Sequence, residues 1–261
     1  MQLEVQQLGG AGAGHAPEDP GAPNAGRDAS RLRLRLLGGF ALNRGEKRLD
    51  VPLAAQRVLA FLAVQKRSVD RVAVSGALWL ESSEEHASAS LRTALWRLRQ
   101  IAGEAVRANG STVELSKRVA VDIAPASARV EILSLHPEEY CARDLDLLGA
   151  AGELLPDWYD EWVLIERERF RQLRLHVLES LCRGLSASGA HAEAVRAGLA
   201  AIALEPLRES SHRALMSAYL AEGNPTEALR HYEIYRHHLL GALGIKPSPR
   251  MDMLIARLGG A

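Results

Sequence analysis

The side chains with chemistry to offer are guanidinium groups, and their spacing points to a polyanion rather than to a reaction. Between Glu85 and Ala102, Arg92, Thr93 and Trp96 fall on one side of a helix at about 100° per residue, with Ala89 and Gln100 beside them and Arg97 and Arg99 on the flanks. A helix that reads DNA needs such a face: short or hydrogen-bonding side chains at the groove centre and guanidinium groups that reach guanine edges or phosphates at either side. Lys117 and Arg118 form a second cationic group at a turn, suited to phosphates or a neighbouring minor groove. The same residues also fit an ordinary amphipathic surface helix and an ordinary exposed turn. The elements around them have to decide.

Catalysis finds no foothold. No lysine follows a glycine, so the GxxxxGK[ST] phosphate loop is absent, and neither GxSxG nor HExxH occurs. Cys141 and Cys182 lie far apart with no CxxC spacing, which indicates neither a zinc site nor a disulfide framework and fits a reducing cytoplasm. His231, His237 and His238 lack cysteine or carboxylate partners at ligand spacing and are expected at the surface or at helix ends. The expectation is therefore a non-enzyme with no cofactor, no metal and no catalytic residue. A membrane role is not expected either, because no stretch approaches the roughly 18 apolar residues of a span.

The elements that would position the basic face follow from hydrophobic period. The other side of the arginine helix, Ala87, Leu91, Ala94, Leu95, Leu98 and Ile101, is apolar and is predicted to face a core, with Ser82 or Ser83 as N-cap and Glu84 and Glu85 in its first turn. Upstream, Leu32, Leu34 and Leu36 alternate with Arg31, Arg33 and Arg35, the period of a half-buried strand. Gly38-Gly39 bends it, and short strands are predicted at Phe40–Leu42 and Lys47–Leu49 with Asn43-Arg44-Gly45 as the turn. A helix follows from Pro52 to Gln65, and a second from the N-cap Asp70 through Val74, Leu78 and Trp79. Downstream, Val106–Ala108, Thr112–Leu115 and Val119–Asp122 read as strands, with turns at Asn109-Gly110 and Ser116-Lys117-Arg118. Three helices followed by a hairpin with a cationic tip is the winged-helix order, which places Lys117 and Arg118 as wing contacts.

Charge divides along the same line. Lys plus Arg against Asp plus Glu is 16 against 8 over residues 31–121, 1 against 4 over residues 1–30 and 15 against 20 over residues 122–261. A basic segment beside an acidic one fits a first part that meets phosphates and a second part that does not. Residues 1–30, rich in Gly, Ala and Pro, are expected to form a disordered tail.

The acidic part repeats itself. Gly189-Ala190-His191-Ala192-Glu193-Ala194-Val195-Arg196 recurs as Gly223-Asn224-Pro225-Thr226-Glu227-Ala228-Leu229-Arg230 at an offset of 34 residues, the tetratricopeptide period. Stacked helix pairs with a concave surface are predicted, with Leu181, Leu185, Ala194 and Leu199 in one core and Leu215, Tyr219, Ala228 and Tyr232 in the next. Such a concavity takes peptides or helices, and a small-molecule effector is also compatible with it. Trp158 and Trp162, four apart, are expected on one helix face as packing anchors, and Arg167, Arg169, Arg171 and Arg174 with Glu166 and Glu168 on a solvated, salt-bridged surface.

The segments LRLRLLGGFAL, PLAAQRVLAFLAV, ASLRTALWRLR and VAVDI resemble the winged-helix domain of the Streptomyces antibiotic regulatory protein family, itself similar to that of OmpR-type response regulators. LLPDWYDEWVLIERERFRQLRLHVLESL, from Leu154 to Leu181, resembles the opening of the bacterial transcriptional activator domain found in the same family. The fold class expected is mainly α with a small β component: a disordered tail over 1–30, a winged helix over 31–122 and a tetratricopeptide-like all-α domain over 123–261. The resemblance implies a cytoplasmic, nucleoid-associated activator that binds direct repeats in promoter DNA, as a homodimer there, and recruits RNA polymerase holoenzyme through its sigma factor. It also implies control of a biosynthetic gene cluster. A repressor or effector-sensing regulator would use the same DNA contacts, and a helical scaffold with a degenerate winged helix would use none. One departure from the family pattern, WLESSEEHASAS before the arginine helix, brings glutamates and no proline to that turn.

Overall fold

The computed structural model describes residues 31–256, so the expected tail over 1–30 lies outside the described residues. The first half runs β1 (Leu32–Arg35), β2 (Ala41–Arg44), β3 (Lys47–Leu49), α1 (Leu53–Gln65), β4 (Val69–Asp70), α2 (Arg71–Leu78), α3 (Glu84–Ala102), β5 (Val106–Asn109), β6 (Thr112–Leu115) and β7 (Val119–Val121). The second half is helical: α4 (Ile123–Leu135), a 3-10 turn at Pro137–Glu139, α5 (Ala142–Ala150), α6 (Glu161–Ala187), α7 (His191–Leu204), α8 (Glu209–Glu222), α9 (Pro225–Leu243) and α10 (Pro249–Ala256).

The alternation of β1 is realised as buried leucine and exposed arginine. β1 pairs antiparallel with β2 and parallel with β7, and β2 pairs antiparallel with β3, giving one sheet in the order β3-β2-β1-β7. β2 runs two residues further than the sequence suggested, because Gly45, at φ 58, takes the first position of a two-residue hairpin turn and leaves Asn43 and Arg44 in the ladder. The second sheet has the order β4-β6-β5. Asp122, at the end of β7, ties back onto the end of β1: its carboxylate accepts from the backbone N–H of Leu36 at 2.9 Å and of Leu37 at 3.0 Å.

Leu34, Leu36 and Leu42 from the sheet, Val58, Leu59 and Leu62 from α1, Val74 and Leu78 from α2, and Leu91, Ala94 and Leu98 from α3 form one core. Leu154, Leu155, Val163 and Phe170 belong to that same core, although they lie well beyond the winged-helix elements. Leu154 bridges Leu37, Gly38 donates to the Glu153 carbonyl at 2.8 Å, and Leu155 donates to the Leu36 carbonyl at 2.8 Å. Trp158 precedes α6 rather than sharing a helix face with Trp162, since Asp160 occupies the N-cap position. Both rings are nonetheless packing groups: Trp158 stacks on Phe40 at 5.9 Å and Trp162 meets Phe61 edge-on at 5.3 Å. Arg57 of α1 pairs with Asp160 across the same junction.

The helical half carries a second core, and the 34-residue recurrence becomes the same turn made twice, with Gly189 at φ 83 between α6 and α7 and Gly223 at φ 86 between α8 and α9. Ala194, Ala197 and Ala201 of α7 lie against Leu178, Leu181 and Cys182 of α6. The fit is close enough that a Cβ on Gly198 would stand 3.0 Å from Leu215 Cβ. Leu199, expected in this core, is 48% exposed; the alanine stripe of α7 faces inward and Leu199 lies on its far side.

The arginines of α6 are not one solvated row. Arg167, its side chain 15% exposed, donates to the carbonyls of Leu154, Leu155 and Trp158. Arg174, 2% exposed, donates to the Leu148 carbonyl and lies over the Phe170 ring at 5.3 Å; burial brings it down to about 10. Arg167 thus binds the loop that enters the first core, and Arg174 the end of α5 that leads into it. Arg169 remains at the surface beside Glu166, and Arg171 pairs with Glu168 and Glu205.

Candidate nucleic-acid interface

Two caps and one core set the orientation of α3. The side chain of Asp70 accepts from Val72 N–H at 2.8 Å at the start of α2, and the Ser83 hydroxyl accepts from His86 N–H at the start of α3. Glu84 and Glu85 occupy the first turn of α3, where the helix dipole favours carboxylates. The inward side, Ala87, Leu91, Ala94, Leu98 and Ala102, is buried, with Leu95 and Ile101 half-buried beside it.

The outward side therefore holds Arg92, Thr93, Trp96, Arg97 and Arg99, all exposed. Trp96 is 55% exposed, and the Arg97 guanidinium stacks over its ring at 5.0 Å. Arg92 donates to the Ser88 hydroxyl one turn back at 3.1 Å, and Thr93 donates to the Ala89 carbonyl at 3.0 Å, which leaves its hydroxyl free to accept. Planar cations, an indole and a hydroxyl share one convex surface about two turns long, a set whose chemistry suits base edges and phosphates.

Lys117 and Arg118 do not sit on a wing tip. The tip of the β5–β6 hairpin is Asn109, Gly110 and Ser111, and it is uncharged; Arg107, opposite Glu114 in the ladder, is the nearest cation on β5. Lys117 and Arg118 occupy the turn from β6 to β7, because β7 leaves the hairpin and pairs with β1 instead. Arg118 pairs with Glu104 at 2.9 Å. With Arg31 and Arg44 they line a cleft of about 700 Å3 against Ala102, Gly103 and Glu104 at the C-terminal end of α3. Arg44 also donates to the Ile101 carbonyl at 3.4 Å. Arg31 and Arg44 come to this place through sheet pairing, which nothing in the local sequence announces.

Several polar groups in the array escaped the sequence. Glu179, 4% exposed, accepts from Arg208, Ser210 and Ser211; desolvation pushes its carboxyl up, but those bonds outweigh it and hold it below the usual range. His212 and His231 lie nitrogen to nitrogen at 2.9 Å, and Tyr235 stacks on His212 at 4.1 Å. Burial pulls His231 down to about 4. Among the described residues, no group of three or more His, Cys, Asp or Glu is arranged to hold a metal ion, and no helix is long and apolar enough to cross a membrane.

Residues 141–258 match the bacterial transcriptional activator domain. Regulatory protein AfsR of Streptomyces coelicolor is 31% identical over 262 residues, covering 95% of this chain and 26% of AfsR, and AfsR of Streptomyces griseus is 31% identical over 246 residues, covering 90% and 25%. The chain spans about a quarter of the length of these curated relatives. Among solved structures, EmbR of Mycobacterium tuberculosis, in complex with a low-affinity phosphopeptide, matches with a TM-score of 0.62 at 23% identity, over 87% of this chain and 65% of that one. That likeness is one of fold: a winged helix followed by a helical array.

Proposed function

We propose that the chain, which carries a bacterial transcriptional activator domain and is 31% identical to AfsR over most of its length, is a transcriptional regulator of the Streptomyces antibiotic regulatory protein type and, more closely, a sequence-specific DNA-binding activator. The observation that carries the proposal is the composition of the outward side of α3, where arginine, threonine and tryptophan stand exposed on a helix whose other side is locked in a core. In this reading α3 enters the major groove. Arg92, Thr93 and Trp96 meet base edges, and Arg97 and Arg99 reach the flanking phosphates. Lys117 and Arg118 take phosphates from the base of the hairpin rather than from its tip. The glutamates of the first turn, Glu84 and Glu85, point to solvent.

Residues 31–122 then form the DNA-binding unit, and residues 123–261 the module that meets RNA polymerase holoenzyme and its sigma factor. Two protomers occupy direct repeats in the promoter of a biosynthetic gene cluster, in the cytoplasm at the nucleoid. Site selection from random DNA followed by mobility shifts tests the DNA half. Arg92→Ala should lose about 1–3 kcal/mol of discrimination at one base position, whereas Lys117→Ala should weaken all sequences alike and reduce the salt slope by about 1. If both variants select and bind as the parent does, the assignment fails. Transcription in vitro with purified polymerase tests activation, and an unchanged or lowered transcript level on adding the protein refutes it.

A further inference from the structure

α9 is a long helix late in the array, and one of its sides is left largely exposed among the described residues. Its packed side is Ala228, Tyr232, Tyr235 and Leu239, in a cluster with Met216 of α8. Elsewhere on the helix Leu229 is 41%, Leu240 55% and Leu243 56% exposed. Glu233 and Arg236 lie between them, with side chains 59% and 55% exposed and paired to each other at 2.7 Å. At about 100° per residue these five side chains fall within about 80° of arc, a single stripe.

Exposed leucines scattered singly need no explanation. Their order here is different. Leu229, Glu233, Arg236 and Leu240 read apolar, acidic, basic, apolar, and the pairs Leu229/Leu240 and Glu233/Arg236 share one midpoint, between Ile234 and Tyr235. A reversed copy of the stripe therefore sets these four groups opposite their complements, leucine on leucine at both ends and carboxylate on guanidinium twice in the middle, while Leu243 extends the apolar edge beyond them. A parallel, in-register copy would set Glu233 against Glu233 and Arg236 against Arg236, which is repulsive.

We propose that this stripe of α9 is a self-association surface, on which a second copy of the chain docks antiparallel about a local two-fold axis. Such a contact is isologous, the same patch serving on both copies. From Leu229 to Leu240 it runs about 16 Å, three helical turns. Five side chains per copy bury less than the roughly 1,200 Å2 typical of stable complexes, so the pair is a weak one. It does not rest on the DNA reading. Protomers on direct repeats are related by translation, whereas this pair is two-fold and forms without DNA, and each can fail while the other stands.

Sedimentation velocity of the full chain without DNA, over about three decades of concentration centred near 10 µM, should show a rise from the 28.4 kDa monomer towards twice that mass. Glu233→Arg and Arg236→Glu should each move the midpoint up by about tenfold or more, and the double variant Glu233→Arg/Arg236→Glu should bring it back to within about threefold of the parent. Leu240→Glu should abolish association, with thermal melts showing that each variant is folded. A chain that stays monomeric throughout overturns the proposal. So do single-charge variants that associate like the parent, or a double variant that restores nothing. Mobility shifts on selected DNA with the same variants read the DNA contacts separately.

Discussion

Trp162→Ala should destabilise the winged helix and the helical array together. Trp162 opens α6, yet its ring meets Phe61 of α1 edge-on at 5.3 Å and 84° and meets Trp158 at 6.5 Å. Truncating an enclosed tryptophan costs about 3–5 kcal/mol; Trp162 is only half-buried, which places the expected loss nearer about 2–3 kcal/mol. Its indole N–H has no hydrogen-bond partner, so the loss is one of packing alone. Of that loss, about 0.5–1.5 kcal/mol belongs to the ring pair, and a double-mutant cycle with Phe61→Ala isolates it. The molecule supplies its own two probes. All four tryptophans, Trp79, Trp96, Trp158 and Trp162, lie before residue 163, so fluorescence reports the first core, while far-UV ellipticity is dominated by the array. In urea the two transitions should coincide and shift together in Trp162→Ala. A fluorescence transition that moves while ellipticity stays fixed, or a coupling energy indistinguishable from zero, would refute the shared core.

Asp122→Ala removes both acceptors for Leu36 and Leu37 N–H and should cost about 2–4 kcal/mol in denaturant unfolding, with Asp122→Asn losing about half as much. Gly198→Ala gains helix propensity but drives a Cβ to 3.0 Å from Leu215 and 3.2 Å from Cys182 Sγ, so the melting temperature should fall; a rise would mean that the α7–α8 contact gives way easily. Stability should decline as pH falls from about 6.5 to about 4, because the unfolded chain protonates at the ordinary histidine value while His231, depressed by burial and by neighbouring His212, stays neutral in the fold. His231→Asn should flatten that slope. The Glu179 carboxylate contributes above its ordinary value of 4.5, and that contribution is lost as pH falls from there through its lower folded value, so Glu179→Gln should trim the acid limb only below about 4.5, at the foot of the histidine window.

Features set by local chemistry were legible in the residues. Asp70 and Ser83 cap helices where side-chain oxygens precede apolar periods, the apolar side of α3 is the side that is buried, and Gly189 and Gly223 mark equivalent turns. Features set by pairing across distance were not. Lys117 and Arg118 looked like a wing because β6 and β7 are neighbours in sequence, but β7 pairs with β1, some 87 residues away, and carries the turn with it. Arg167 and Arg174 looked solvated because arginine usually is. Their acceptors are backbone carbonyls between Leu148 and Trp158, brought to α6 only by the fold. The charge count is spread more widely than α3: Arg31, Arg33, Arg35, Arg44, Lys47 and Arg48 lie on or beside the first sheet.

The same long-range contacts bear on how the proposed activator would work. A flexible joint between a DNA reader and a polymerase contact would let the second search freely around the first. Here the junction is a packed core: Leu154 and Leu155 enter it, Trp158 and Trp162 line it, and Arg167 fastens the loop that connects them. α6 then leaves that core as one helix of 27 residues, about 40 Å long, and ends inside the array. A protomer seated on DNA by α3 would therefore hold its array at a set angle to the duplex. Moving the site by half a helical turn should swing the array to the opposite side of the DNA rather than merely shift it, so activation by this chain should depend on the phase of the site relative to the promoter as well as on its distance.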